Sequence, residues 1–121
     1  MRRRDNGLRG EKLARDFLEK GGYSILETNY RTPHGEIDII ARHKDSLVFV
    51  EVRSKTTRKF GTPEESITPA KKERMRASAY DYCQSHDDLP PDWRIDVVVV
   101  EMDRRDKPSR IELIENAVGE E

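Results

Sequence analysis

The sequence predicts an α/β fold, with a single mixed sheet flanked by helices in the order α-β-β-β-α-β-β. Three observations lead there. Apolar residues recur at helical spacing in two separate stretches, first Leu13, Ala14, Phe17 and Leu18, then Met75, Ala79, Tyr82 and Cys83. Five shorter alternating or wholly apolar stretches, bounded by turn residues, read as strands. The 121 residues are enough for one domain and too few for two ordinary ones.

Taken in order, Leu8 to Lys20 is the first helix, stopped by Gly21-Gly22 in the manner of a C-terminal glycine. Tyr23 to Arg31 is a first strand, broken by Thr32-Pro33-His34-Gly35. Glu36 to Arg42 and Leu47 to Ser54 form a hairpin around the polar turn His43-Lys44-Asp45-Ser46. Thr56 to Thr62 is a basic loop. Thr68 is an N-cap, Pro69 the first helical position, and the second helix ends near His86. After the loop containing Pro90-Pro91, Arg94 to Met102 holds the strongest strand, whose Val97-Val98-Val99-Val100 run reads as buried on both faces. Ser109 to Asn116 is a weaker last strand, expected at an edge. The domain core is expected over about residues 7–103, with 104–121 an acidic C-terminal segment of the same single domain.

Leu, Ile, Val and Phe make up 26 of the 121 residues, only just above the roughly 20% below which disorder becomes the default. Charged residues are 39% of the chain and mean hydropathy is −0.92. No apolar run approaches the roughly 18 residues of a spanning helix, which excludes a helical membrane protein. Met1-Arg2-Arg3-Arg4 is basic, yet no apolar stretch follows it as in a secretory signal. Cys83 is the only cysteine, so the core stands without an internal disulfide, which fits a reducing cytoplasm. The net charge of −1 conceals an asymmetry: residues 1–76 hold 18 Lys and Arg against 12 Asp and Glu, and residues 77–121 hold 5 against 12. A basic two-thirds reads either as a polyanion-facing surface or as a solvated, charge-mixed one.

The hairpin carries the chemistry. Along its first strand Glu36, Asp38 and Ile40 face one way and Ile37, Ile39 and Ala41 the other. Along its second, Val48, Val50 and Val52 oppose Phe49, Glu51, Arg53 and Lys55. A turn of two or four residues centred between Lys44 and Asp45 sets Asp38 opposite Glu51 and Glu36 opposite Arg53. Directly opposed carboxylates lie about 4.5–5.5 Å apart at Cβ and destabilise each other. One of them takes a proton, or a cation lies between them. Oxygen ligands at this spacing suit Mg²⁺, which takes one or two carboxylates and fills its remaining positions elsewhere. Arg53 and Lys55 are then placed to contact a phosphate. The alternative is a solvated face with a Glu36–Arg53 cross-strand pair.

The run Gly35-Glu36-Ile37-Asp38-Ile39-Ile40, followed by Phe49-Val50-Glu51-Val52-Arg53-Ser54-Lys55, resembles the PD-(D/E)xK nuclease superfamily. More narrowly it resembles the YraN family of small bacterial proteins, similar to archaeal Holliday junction resolvases. Supporting matches are Gly10-Glu11 with Ala14, Gly22-Tyr23 with Ile25-Leu26, Asn29 with Arg31, Phe60-Gly61 with Pro63, Lys71, and Arg94 with Asp96-Val97-Val98. The resemblance implies a restriction-endonuclease-like fold with Asp38 and Glu51 as Mg²⁺ ligands, Mn²⁺ being an alternative metal. It also implies that Glu11 completes the acidic set, although an acid in the first turn of a helix is favoured by the helix dipole alone. One departure stands out: the motif lysine is Arg53 here, and the arginine two residues on is Lys55. Arginine does not give up its proton, so Arg53 is no general base, but it can neutralise charge developing on a phosphate. Lys55 shares its strand face and can supply the lysine from a shifted position.

Other candidates carry less. His34, His43 and His86 show no metal-ligand spacing, Cys83 reads as a small buried hydrophobe, and Trp93 reads as a packing residue. Arg58-Lys59 and Lys71-Lys72-Arg74-Arg76 are phosphate contacts or solvated faces. The expected nucleic-acid contacts are Arg31, Lys55, Arg58, Lys59 and Lys71, and the expected catalytic set is Asp38, Glu51, Arg53, Lys55 and Glu11. Together these give an expected Mg²⁺-dependent endonuclease-like protein acting on branched or structured DNA by metal-assisted phosphodiester hydrolysis. The alternative is a non-catalytic nucleic-acid-binding module of the same fold. The small apolar fraction and the resolvase resemblance point to a homodimer, which would offer two sites to a branched substrate.

Overall fold

Helix α1 spans Arg2–Lys20 and so begins well before Leu8, because residues 2–7 carry no apolar side chain from which a period can be read. The structure, a computed structural model, describes residues 2–56, 61–105 and 107–118, with side chains from Arg9 onward. The helix stops where predicted: Gly22 takes φ +91° and the Tyr23 N–H donates to the Leu18 carbonyl at 3.0 Å. Ala14 and Leu18 form the buried centre of its apolar arc, while Phe17 sits at the rim, 36% exposed rather than buried.

Strands β1 (Ser24–Thr32), β2 (Gly35–His43), β3 (Ser46–Lys55), β4 (Asp92–Met102) and β5 (Pro108–Ile114) form one sheet in chain order. Only β3 and β4 run parallel. Between them come a short 3₁₀ turn, η1 (Pro63–Ser66), which follows the basic loop and is unpredicted by the sequence, and helix α2 (Pro69–Ser85). Thr68 caps α2 as expected, its hydroxyl accepting from the Lys71 N–H at 3.2 Å. This is the restriction-endonuclease-like α/β arrangement, with order α-β-β-β-α-β-β.

One helix covers each face. Ala14 and Leu18 of α1 pack on Ile39, Val48, Val50, Val98 and Val100. Ala79 and Tyr82 of α2 pack on Ile40, Leu47, Phe49 and Ile95, with Met75 and Cys83 partly buried on the same stripe. Residues Val97 to Val100 are fully buried, so β4 is the spine of the sheet. Strand β5 is an edge, and past it the chain returns: Ala117 N–H donates to the Ile95 carbonyl at 2.9 Å and Val118 joins the α2-side core. Trp93 packs edge-on against Phe49 at 5.7 Å yet stays 42% exposed. No helix among the described residues is long and apolar enough to cross a membrane.

Arg94 and Asp96, singled out by their motif, serve structure. Fully buried Asp96 accepts from Arg94 Nε at 3.0 Å, from the Tyr23 hydroxyl at 3.2 Å and from the Asn116 N–H at 2.9 Å. Its charge is matched by hydrogen bonds on all sides, as a buried carboxylate requires. The network staples the start of β4 to the end of α1 and to the segment after β5.

Candidate functional site

The hairpin register is the predicted one, from His43↔Ser46 to Ile39↔Val50 around a two-residue turn in which Lys44 has φ +56°. The ladder then ends. Strand β3 keeps pairing with β4 as far as Lys55↔Glu101, and β2 keeps pairing with β1 as far as Gly35. The two central strands therefore fork beyond Ile39 and Val50. Two expectations change with the fork. Ile37, held there only by β1, packs with the α2-side cluster instead of sharing a face with Ile39 and Ala41. Glu36 and Arg53 do not pair; Glu36 lies 3.9 Å from Arg31 instead.

A fork leaves backbone groups without ladder partners, and each must find another. The Val52 N–H donates to Asp38 Oδ2 at 2.8 Å, which fixes the Asp38 carboxyl in the opening beside Glu51. Burial pushes the Asp38 pKa up to about 8, aided by the negative charges of Glu51, Glu11 and Glu36 and opposed by the Val52 hydrogen bond. Burial also raises Glu51, against the pull of Arg53, Lys71 and a hydrogen bond with Asp38. With its pKa raised to about 8, Asp38 keeps its proton near neutral pH.

Glu11 reaches this site from α1. Because the helix begins near Arg2, Glu11 lies in its interior, and the first-turn dipole argument does not explain it. Close packing does: a Cβ on Gly10 would sit 2.9 Å from the Ser54 side chain, so glycine lets α1 approach β3. Asn29 then holds the Glu11 carboxylate, its Nδ2 donating at 3.1 and 3.3 Å.

The cations divide by position. Arg53 donates to Glu51 Oε2 at 3.2 Å and to the Ser66 hydroxyl through Nε at 3.0 Å and Nη2 at 2.7 Å; Ser66 donates in turn to the Pro63 carbonyl at 2.6 Å. The 3₁₀ turn thus aims the guanidinium. Lys55 points elsewhere, its Nζ donating to the Gly61 carbonyl at 3.0 Å. Lys71 and Arg74 of α2 line a cleft of about 210 Å³ together with His34, Glu36, Glu51 and Arg53. Hydroxyls of Thr32 and Ser78, 3.1 Å apart, tie α2 to the β1–β2 turn and so fix that cleft's walls. The side chain of Arg31 is 90% exposed near the rim. Arg58 and Lys59 lie outside the described residues. His43 stacks on Tyr23 and His86 on Tyr82, and among the described residues no group of three His, Cys, Asp or Glu side chains is placed to hold a metal ion, so Glu11 does not join Asp38 and Glu51 as a third ligand.

Sequence reasoning missed Ser66, and it counted Asn29 only as a motif match; both act through tertiary contacts across 13 and 18 residues of chain. A sequence profile of the uncharacterised protein family UPF0102 matches residues 10–100. The chain belongs to this family. A UPF0102 protein of Dehalococcoides mccartyi is 47% identical over 119 residues, 98% of this chain and 97% of the relative. UPF0102 proteins of Moorella thermoacetica and Roseiflexus castenholzii are 43% and 46% identical, covering 97% and 92% of this chain and 98% and 90% of their own lengths. The UPF0102 match spans Glu11, Asp38, Glu51, Arg53 and Lys71, the residues the fork gathers.

Proposed function

We propose that this protein is a Mg²⁺-dependent endonuclease acting on branched or otherwise structured DNA. One observation carries the reading: at the fork of β2 and β3, Asp38 and Glu51 are buried side by side, and burial makes both carboxyls hold their protons more tightly than usual, beside a cleft lined by Arg53, Lys71 and Arg74. The donor set fits the metal. Two hard oxygen donors without a closed cage are what Mg²⁺ ordinarily takes, with Mn²⁺ an alternative, and a divalent cation would relieve the crowding. Asp38 and Glu51 would hold it, with the Glu11 carboxylate adding negative field. Bound there, the metal supplies charge neutralisation at the phosphate and activation of water.

The chain's own groups supply the rest. Arg53, aimed by Ser66, neutralises charge that builds on the phosphate as the bond breaks. Arg31, Lys71 and Arg74 take flanking phosphates. The motif resemblance supports phosphodiester hydrolysis, and the resolvase likeness supports branched DNA and a homodimer with two sites. The test is incubation with junction, flap, duplex and single-stranded DNA in Mg²⁺ or Mn²⁺. Cleavage by the wild type that Asp38→Ala abolishes is the expected result; no cleavage above that control on any substrate would sink the enzyme reading. Sedimentation across a concentration series reads the dimer, and a strict monomer at tens of micromolar would argue against paired cuts.

The Arg53–Glu51 ion pair at 3.2 Å favours a second reading, a nucleic-acid-binding module without turnover. It predicts salt-sensitive DNA binding, since neutralised phosphates release counterions, with affinity kept or improved in Asp38→Ala.

A further inference from the structure

We propose that Lys71, at the start of α2, is the lysine that grips the phosphate at the cleavage position, taking from a helix the part the motif gives to a strand. The proposal rests on the endonuclease reading and names a residue within it. Three cations compete for the role. Arg53 stands at the motif position, but its guanidinium is engaged by Glu51 and twice by Ser66. Lys55 stands two residues on, and its ammonium is committed to the Gly61 carbonyl beside Glu65. Lys71 lines the same cleft as Glu51 and Arg53, and its charge bears on Glu51. Among the described residues its ammonium is spent on no hydrogen bond, unlike the other two.

Placement on a rigid element suits the task. Thr68 caps the helix at the Lys71 N–H, and the Ser78–Thr32 contact pins α2 to the β1–β2 turn. Lys71 shares with Glu51 the lining of a cleft of about 210 Å³, and its charge acts on that carboxyl. Lysine binds a phosphate as a compact point charge, from a cleft that Arg53 also lines.

The experiment compares wild type, Lys71→Ala, Lys71→Arg and, as a lysine far along the hairpin, Lys44→Gln. Each is first checked by thermal melting for folding. Cleavage is measured at saturating DNA in Mg²⁺, and DNA binding is measured in EDTA across a salt series. Lys71→Ala is expected to lower kcat by roughly 10²–10³-fold, the loss typical of one group that stabilises transition-state charge. Its metal-free salt slope should also fall by about 0.9, one phosphate contact fewer. Lys71→Arg should recover the slope and part of kcat, and Lys44→Gln should match wild type in both. A folded Lys71→Ala that cleaves and binds like wild type overturns the proposal and leaves the endonuclease reading standing. If the wild type cuts nothing, that reading fails instead, and the EDTA slope alone decides whether Lys71 holds a phosphate; an unchanged slope, or no DNA binding at all, overturns it.

Discussion

Replacing Asp38 by Asn tests the acidic pair before any DNA is added. The carboxamide keeps an oxygen for the Val52 N–H but cannot carry charge. In the folded chain Asp38 titrates near 8, against about 3.9 for an unfolded aspartate. Between those values the folded state binds a proton that the unfolded state lacks, so stability falls as pH rises. This contribution is complete below about pH 4 and is lost as pH climbs through the folded pKa. From pH 6 to pH 8 one such proton is worth about 2 kcal/mol, or roughly 8 °C in melting temperature for a domain this size. Metal-free wild type should therefore melt that much lower at pH 8 than at pH 6, after subtraction of the same difference measured in Asp38→Asn. Mg²⁺ at ten times its Kd should add about 1.4 kcal/mol, roughly 5 °C, to wild type at pH 8 and nothing to the variant. The assay is one matrix of thermal melts: two proteins, two pH values, with and without metal. Identical pH responses would show that Asp38 is not the protonated group, and identical metal responses would remove the metal from this site.

Glu51→Gln removes the charge facing Asp38, so the metal-free melting temperature at pH 8 should rise slightly and the Mg²⁺ response should vanish, read by the same melts. Arg53→Lys should leave the metal response intact and lower cleavage of whichever DNA the wild type cuts, because lysine cannot keep both bonds to Ser66 that aim the guanidinium. Gly10→Ala forces a methyl against Ser54 at 2.9 Å and should cost about 1–3 kcal/mol in urea unfolding, the ordinary penalty of overpacking. Ser66→Ala strips the acceptor from Nε and Nη2 of Arg53 and should destabilise by about 1–3 kcal/mol, with Ser66→Thr restoring most of it.

The register of the hairpin was legible because a polar turn centred on Lys44 and Asp45 admits few ways to pair what flanks it, and that register sets the line on which Asp38 meets Glu51. Helix α2 was legible from Thr68-Pro69 for a similar reason: the capping chemistry is local. The fork was not. Alternation states which residues share a face but not where a ladder stops, so it assigned Ile37 to the wrong side and paired Glu36 with Arg53. The η1 turn and its Ser66 were hidden because their bond to Arg53 depends on how the crossover folds back over β3. Glu11 shows the limit in another form: its motif match was visible, but what positions it is the close approach at Gly10 and the amide of Asn29, each a contact between elements.

The fork is where stability and chemistry diverge. Continued in the same register, β2 and β3 would set Ile37 beside Val52 and extend the ladder; instead the strands part and two carboxyl groups stand in the gap. Parallel pairing of β3 with β4 runs on past the opening, and the wholly buried Val97 to Val100 run on β4 keeps the sheet whole without those bonds. Asparagine at position 38 would accept the same Val52 N–H at lower electrostatic cost. Buried carboxyls beside a cleft, with pKa values raised together, mark functional centres more often than structural ones. The charge arrangement suits two kinds of ligand: a cation at the carboxyl pair, and an anion in the cleft that Lys71 and Arg74 line. On the proposed reading, a phosphodiester accompanied by Mg²⁺ would supply both at once.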